Sequence, residues 1–82
     1  MRFWVTVRDP RGASHHDVAM STESFAKLSG GNPSAELVVR AAFRFLLDRE
    51  SRESILSRFE ISQIGRYFPE FEQKLPAYFL LR

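Results

Sequence analysis

The sequence contains no cysteine, only two histidines, and just four glycines and four prolines. Without cysteine there is neither a disulfide framework nor a thiolate metal site, two devices that small domains use to supplement a thin core. Two histidines alone make a poor metal cage, so no metal and no cofactor is expected. Long apolar runs are missing too, which excludes a membrane-spanning helix. The start, Met1-Arg2-Phe3-Trp4-Val5, has neither the apolar stretch nor the small-residue cleavage site of a secretory signal. The expectation is a cytoplasmic protein with no membrane partner. Charge is nearly balanced: twelve basic against ten acidic residues give +2, short of the dense patch typical of nucleic-acid binders.

What is present is aromatic and apolar. Eighty-two residues, 44% of them hydrophobic, include eight Phe, one Trp and two Tyr. A single domain of this size buries only about 60–65% of its unfolded surface, whereas each buried aromatic removes roughly 150–250 Å² from water. Either the core is unusually aromatic or some rings cover a partner, most simply a second copy of the chain. Ten of the twelve cations are Arg, which suits bidentate pairing with carboxylate or phosphate.

Along the chain, Phe3 to Val7 alternate with Arg2, Trp4, Thr6 and Arg8, the pattern of a strand. Asp9-Pro10-Arg11-Gly12 carries the residues of a type I turn, and His16 to Met20 reads as a second strand. Pairing Phe3 with Val18 and Val5 with His16 would put Phe3, Val5, Val18 and Met20 on one face; the sequence does not fix the register, nor whether the ribbon pairs within one chain or across two. Ser21-Thr22-Glu23-Ser24 opens a short helix, which Ser29-Gly30-Gly31 stops. Asn32 as cap and Pro33 at the first helical position predict the start of the main helix. Ala35 to Leu47 is then apolar except for Glu36, Arg40 and Arg44, continued by Asp48, a single polar stripe. Ser51 caps a further predicted helix carrying Ile55, Leu56 and Phe59. Ile61, Ile64, Phe68, Phe71 and Leu75 continue at helical spacing, with a break expected at Phe68-Pro69 and an end at Pro76. The apolar tail from Ala77 to Leu81 is expected to dock on the core.

Catalytic constellations fail on geometry. Ser14, His15, His16 and Asp17 hold the residue types of a triad, but neighbours on a strand point to opposite faces and cannot converge. The same divergence argues against a two-histidine metal site. Glu70 with Glu72, and Glu50 with Glu53, read as solvated surface. Gly30-Gly31 lacks the lysine and the preceding strand of a phosphate loop. No catalytic residue, cofactor-binding residue, metal ligand or small-molecule substrate is expected.

Two features bear on nucleic acid. The segment Asn32-Pro33-Ser34-Ala35-Glu36-Leu37, continuing through Arg40-Ala41 to Leu47, resembles the second helix of the ribbon-helix-helix family. That resemblance implies a dimer reading the DNA major groove with a two-stranded ribbon, with Asn32 and Ser34 beside a phosphate. The first helix, about Thr22 to Leu28, is shorter than that family's, and the strand before it presents Asp17, Ala19 and Ser21. Separately, Arg2, Arg8 and Arg11 make the ribbon locally basic, with Trp4 on the same face as a stacking surface for RNA.

These readings combine into an α+β fold, an N-terminal β-hairpin packed on a buried central helix and a helical C-terminal third. The expected segments are residues 1–20 (ribbon), 21–31 (short helix and Gly turn), 32–50 (central helix) and 51–82 (C-terminal helices and tail). The expected function is a small non-catalytic protein-interaction or regulatory module. Its partner would be itself, as a homodimer, or another protein, through Trp4, Tyr67, Phe68, Phe71, Tyr78 and Phe79. The alternative is a ribbon-helix-helix-like DNA-binding regulator or antitoxin using Arg2, Arg8, Arg11, Asn32 and Ser34.

Overall fold

The computed structural model describes residues 1–31 and 34–79. Strands β1 (Arg2–Asp9) and β2 (Gly12–Ala19) form an antiparallel hairpin. Its register sets Phe3 against Val18 and Val5 against His16, one of the pairings the sequence leaves open. Pro10 and Arg11 make the loop, Asp9 Oδ1 accepts the Arg11 N–H at 2.8 Å, and Gly12 takes a φ of +146°. A Cβ on Gly12 would stand 3.1 Å from Arg52 Nη2. The tip is thus closed over the buried Arg52, whose Nε donates to Asp9 Oδ2 at 2.9 Å.

Helix α1 (Thr22–Leu28) is capped by Ser21, whose side chain accepts the Ser24 N–H. Helix α2 (Ala35–Leu47) is capped by Ser34, which accepts from Leu37 N–H. The cap therefore lies two residues later than expected, and the Asn32-Pro33 start falls outside the described residues. The helix ends at Leu47, with residues 48–50 in a turn rather than helical. Seven of its residues are buried, Val38, Val39, Ala41, Ala42, Phe43, Phe45 and Leu46, while Leu37 and Leu47 are exposed beside the polar stripe.

The segment after α2 departs from expectation. Instead of a helix through Ile55, Leu56 and Phe59, a 3-10 turn (Arg52–Ser54) leads into strand β3 (Arg58–Glu60). It pairs in parallel with β2, Asp17 opposite Arg58 and Val18 opposite Phe59, so the ribbon becomes a three-stranded sheet of order β1-β2-β3. Ile55 and Phe59, four residues apart, fit a helical face and equally a turn followed by a strand. The bonds that decide come from β2: Asp17 N–H donates to Ser57 O at 2.8 Å, and His16 Nδ1 meets Leu56 O at 2.8 Å.

A second 3-10 turn (Ile61–Gln63) runs into α3 (Ile64–Tyr67). Its chain breaks at Phe68, φ −129° and ψ 89°, because Pro69 disfavours helical geometry in the residue before it. Helix α4 (Phe71–Tyr78) continues past Pro76 instead of ending there. So near its end the proline removes only one donor, while Phe71, Leu75 and Tyr78, at spacings of four and three, face the core together. The molecule is an α+β fold whose core lies between the sheet, α2 and the C-terminal helices.

Acid should loosen this structure. Asp9 is held below the ordinary carboxylate range by the Arg52 hydrogen bond and then by the Arg11 N–H. Burial pushes Glu60 up, but bonds from the Ser62 hydroxyl and N–H, the Ser21 N–H and the Ser24 hydroxyl outweigh it and leave Glu60 lowered. Glu70 is lowered by its own N–H and by Arg49. A depressed carboxylate contributes stability that is present above its unfolded pKa and lost as pH falls through the folded one. Glu50, raised by burial, acts in the opposite sense, one group against three. The urea midpoint is expected to fall between about pH 4.5 and pH 3, and Asp9→Asn to flatten that slope. A midpoint constant over this range would overturn the assignment.

Candidate functional site

The six aromatic residues expected to form one contact surface are dispersed. Trp4 is 72% exposed on the outer face of the sheet and stacks on His15, centroids 5.8 Å apart and planes 10° apart. Tyr67 is exposed at the last residue of α3. Phe71 is core, 2% exposed, with its ring 5.0 Å from that of Phe45, so it is not a surface anchor. Phe68, Tyr78 and Phe79 are half-buried against the same core. Tyr78 donates its hydroxyl proton to Asp48 Oδ2 at 2.7 Å and accepts from Arg49 Nη1 at 3.1 Å. Leu80 and Leu81 of the tail lie outside the described residues.

His15 and His16 diverge as strand neighbours must. His15 sits outside, beside Thr6 Oγ1 at 3.2 Å. His16 is buried, its Nδ1 on the Leu56 carbonyl and its Nε2 on Ser14 Oγ at 2.9 Å. A carbonyl can only accept, so Nδ1 carries a proton and donates to Leu56, while Nε2 shares a hydrogen bond with the Ser14 hydroxyl. Among the described residues no group of three or more His, Cys, Asp or Glu is placed to hold a metal ion. No helix among them is long and apolar enough to cross a membrane.

The basic residues are placed as follows. Arg2 pairs with Asp17 at 3.3 Å, and Arg58 reaches the same carboxylate at 3.6 Å. Arg8 and Arg11 are exposed on β1 and in the loop. Ser34 spends its hydroxyl on the α2 cap, and Asn32 lies outside the described residues. Arg58 was missed by sequence reasoning because its segment was assigned to a helix. The alternation Arg58-Phe59-Glu60, out, in, out, was the available signal.

The most distinctive surface is the free edge of β1. Met1 and Met20 exchange both backbone bonds, N–H to O at 2.8 Å in each direction. In an antiparallel ladder such pairs alternate with non-bonded ones. Phe3, Val5 and Val7 therefore bond to β2, while Arg2, Trp4, Thr6 and Arg8 turn their N–H and C=O groups to the open edge. The Asp17 N–H to Ser57 O bond fits this phase, since Asp17, opposite Trp4, turns away from β1. Over eight residues the edge carries no proline and no break in register; its inward row is apolar at Phe3, Val5 and Val7, which lie half-buried, and its one inward charge, Asp9 at the end of the strand, is paired with Arg52. Alongside runs a groove of about 640 Å³ between β1 and α2, floored by Val39 and Phe43 and rimmed by Glu36, Arg40, Arg44 and Leu47. A smaller apolar cavity of about 330 Å³ lies between α2 and the segment from Ile55 to Phe68, with Glu50 at its wall. Comparison with protein-family models, curated proteins and solved structures finds no match to this chain.

Proposed function

We propose that the protein is a non-catalytic interaction module that binds protein by strand addition to the open edge of β1. The observation that carries this reading is the eight-residue edge, regular throughout, with outward-directed backbone groups at Arg2, Trp4, Thr6 and Arg8 beside a groove floored by Val39 and Phe43. Exposed regular edges are templates for another strand, and proteins that do not use them blunt them with proline, bulges or inward charges. Here Arg2 and Arg8 stand on the outer face, and the one inward charge, Asp9, sits at the strand's end and is paired with Arg52, leaving the inner row from Phe3 to Val7 apolar.

A photo-crosslinking residue at position 4 tests the proposal in cells, with position 73 on the exposed side of α4 as control. Covalent protein adducts are expected from position 4 and not from position 73, and Thr6→Pro should remove them. Proline there deletes an edge-facing N–H without touching the β1–β2 ladder. Equal adducts from both positions, or none from position 4, would overturn the reading.

A second reading has one observation in its favour. The stacked Trp4–His15 pair lies on a face that also bears Arg2, Arg8 and Arg58, and single-stranded nucleic acid binds by stacking on rings within basic surroundings. A salt-dependent band shift lost in Trp4→Ala would select it. The ribbon-helix-helix alternative draws less support: its DNA-reading strand must pair across two chains, and β2, the strand before α1, has β1 on one edge and β3 on the other.

A further inference from the structure

We infer that the strand added to β1 is β1 of a second copy, paired antiparallel about a twofold axis passing beside Trp4. This rests on the edge reading above and names its occupant.

Because only even-numbered residues of β1 face the edge with their backbone groups, a symmetric pairing has three registers with substantial overlap. An axis at Val5 sets Arg2 opposite Arg8 of the mate twice on the outer face, a like-charge contact that destabilises a sheet. An axis at Thr6 sets Phe3 of the inner row opposite Asp9 of the mate, a carboxylate already committed to Arg52. An axis at Trp4 opposes Phe3 to Val5 on the inner face, where both are half-buried and apolar. On the outer face it opposes Trp4 to Trp4 and Arg2 to Thr6. Trp4 already stacks on His15, so the mated sheets carry a continuous row of four rings. The same axis makes the two α2 helices run antiparallel beside the junction, with the acidic start of each, Glu36, directed toward the basic end of the other, Arg44. The β1–α2 groove is then closed by its own symmetry mate.

The absence of cysteine and the single tryptophan make the test direct. Light scattering after size exclusion is expected to give twice the 9.5 kDa chain mass at high micromolar concentration. Trp4 emission should shift to the blue as concentration rises, because a largely exposed indole becomes covered. Thr6→Pro and, independently, Trp4→Lys should return the single-chain mass with an unchanged far-ultraviolet spectrum. Bonded pairs in antiparallel sheets have Cα atoms about 5.5 Å apart, within disulfide reach. An oxidised mixture of Arg2→Cys and Thr6→Cys chains should therefore form the mixed disulfide in preference to either symmetric one. A single-chain mass at all concentrations, or a dimer that both Thr6→Pro and Trp4→Lys leave intact, overturns the inference. A symmetric Thr6→Cys disulfide as the main product overturns the register. Adducts at position 4 to a different protein, from a chain of single mass, defeat this inference while leaving the edge reading standing; no adducts at all defeat both.

Discussion

Replacing Phe45 with alanine is expected to lower the free energy of unfolding by about 3–5 kcal/mol, the range for truncating a buried aromatic. Phe45 is completely buried, and its ring is the hub on which the C-terminal helices rest. Phe68, Phe71 and Tyr78 meet it edge-on with centroids 5.8, 5.0 and 5.7 Å away. The Arg49 guanidinium lies 3.7 Å over its centroid, held there by Glu70 and Tyr78. Alanine would leave a cavity bordered by three rings and a cation without its aromatic face. A chain of this length has roughly 4–12 kcal/mol of stability in all, so the change removes a large part of it. Thermal melting should shift by on the order of 20 °C, and Phe45→Leu, which refills most of the volume, should shift it less. A loss under about 1 kcal/mol would mean that the ring cluster does not fasten α4 to α2.

Replacing His16 with leucine is expected to cost about 2 kcal/mol, despite close similarity in size. The position is buried, so leucine satisfies the packing requirement against Phe43, whose ring stands 5.3 Å away. What leucine cannot supply is the donor to the Leu56 carbonyl and the hydrogen-bond partner of the Ser14 hydroxyl. Each buried polar group left unpaired costs about 1–3 kcal/mol, less where water can reach it. The Leu56 bond joins residues forty positions apart, and with the adjacent Asp17–Ser57 bond it fastens β3 to the sheet. Hydrogen exchange should therefore accelerate at the Asp17 amide in His16→Leu while the amides of α2 change only with global stability. Unaltered exchange at Asp17 would show that the backbone ladder and Phe59 packing hold β3 without the His16 bond.

The hairpin was legible because its information is local. Alternation from Phe3 to Val7, the Asp-Pro-Arg-Gly turn and the return strand mark the hairpin and the face each side chain takes, since a one-residue slip would expose the apolar row; a two-residue slip keeps those faces, so the register itself was decided by the structure. The break before Pro69 was legible for the same reason, since proline acts sterically on its neighbour. The segment from Ser51 to Glu60 was not. Its apolar residues, Ile55, Leu56 and Phe59, fit helical spacing about as well as strand spacing, and a strand of three residues is too short to display a period. Arg52 stands in the charged stretch from Asp48 to Glu53, whose composition suits solvent, yet it lies buried beneath Gly12 and binds Asp9. Nothing near Arg52 in sequence announces a partner forty-three positions away. The candidate site was half visible: the exposed alternating face of β1 was evident, but which of the two hairpin edges stayed open was not.

The sequence by itself determined those elements that rest on a rule acting within about four residues and that no distant contact overrides: the alternation of β1, the Ser21 cap of α1, the apolar body of α2, and the kink at Phe68. Tertiary structure decided what depends on distant partners. It made Arg58–Glu60 a strand, because β2 offered its free N–H and C=O groups there. It carried α4 through Pro76, because Phe71, Leu75 and Tyr78 are buried together. It moved Phe71 from surface to core and left β1 as the open edge by giving β3 to the other side of β2. The physical reason is common to all of these: a backbone donor or an apolar ring is satisfied by whatever the fold places next to it, and that neighbour is not written beside it in the chain.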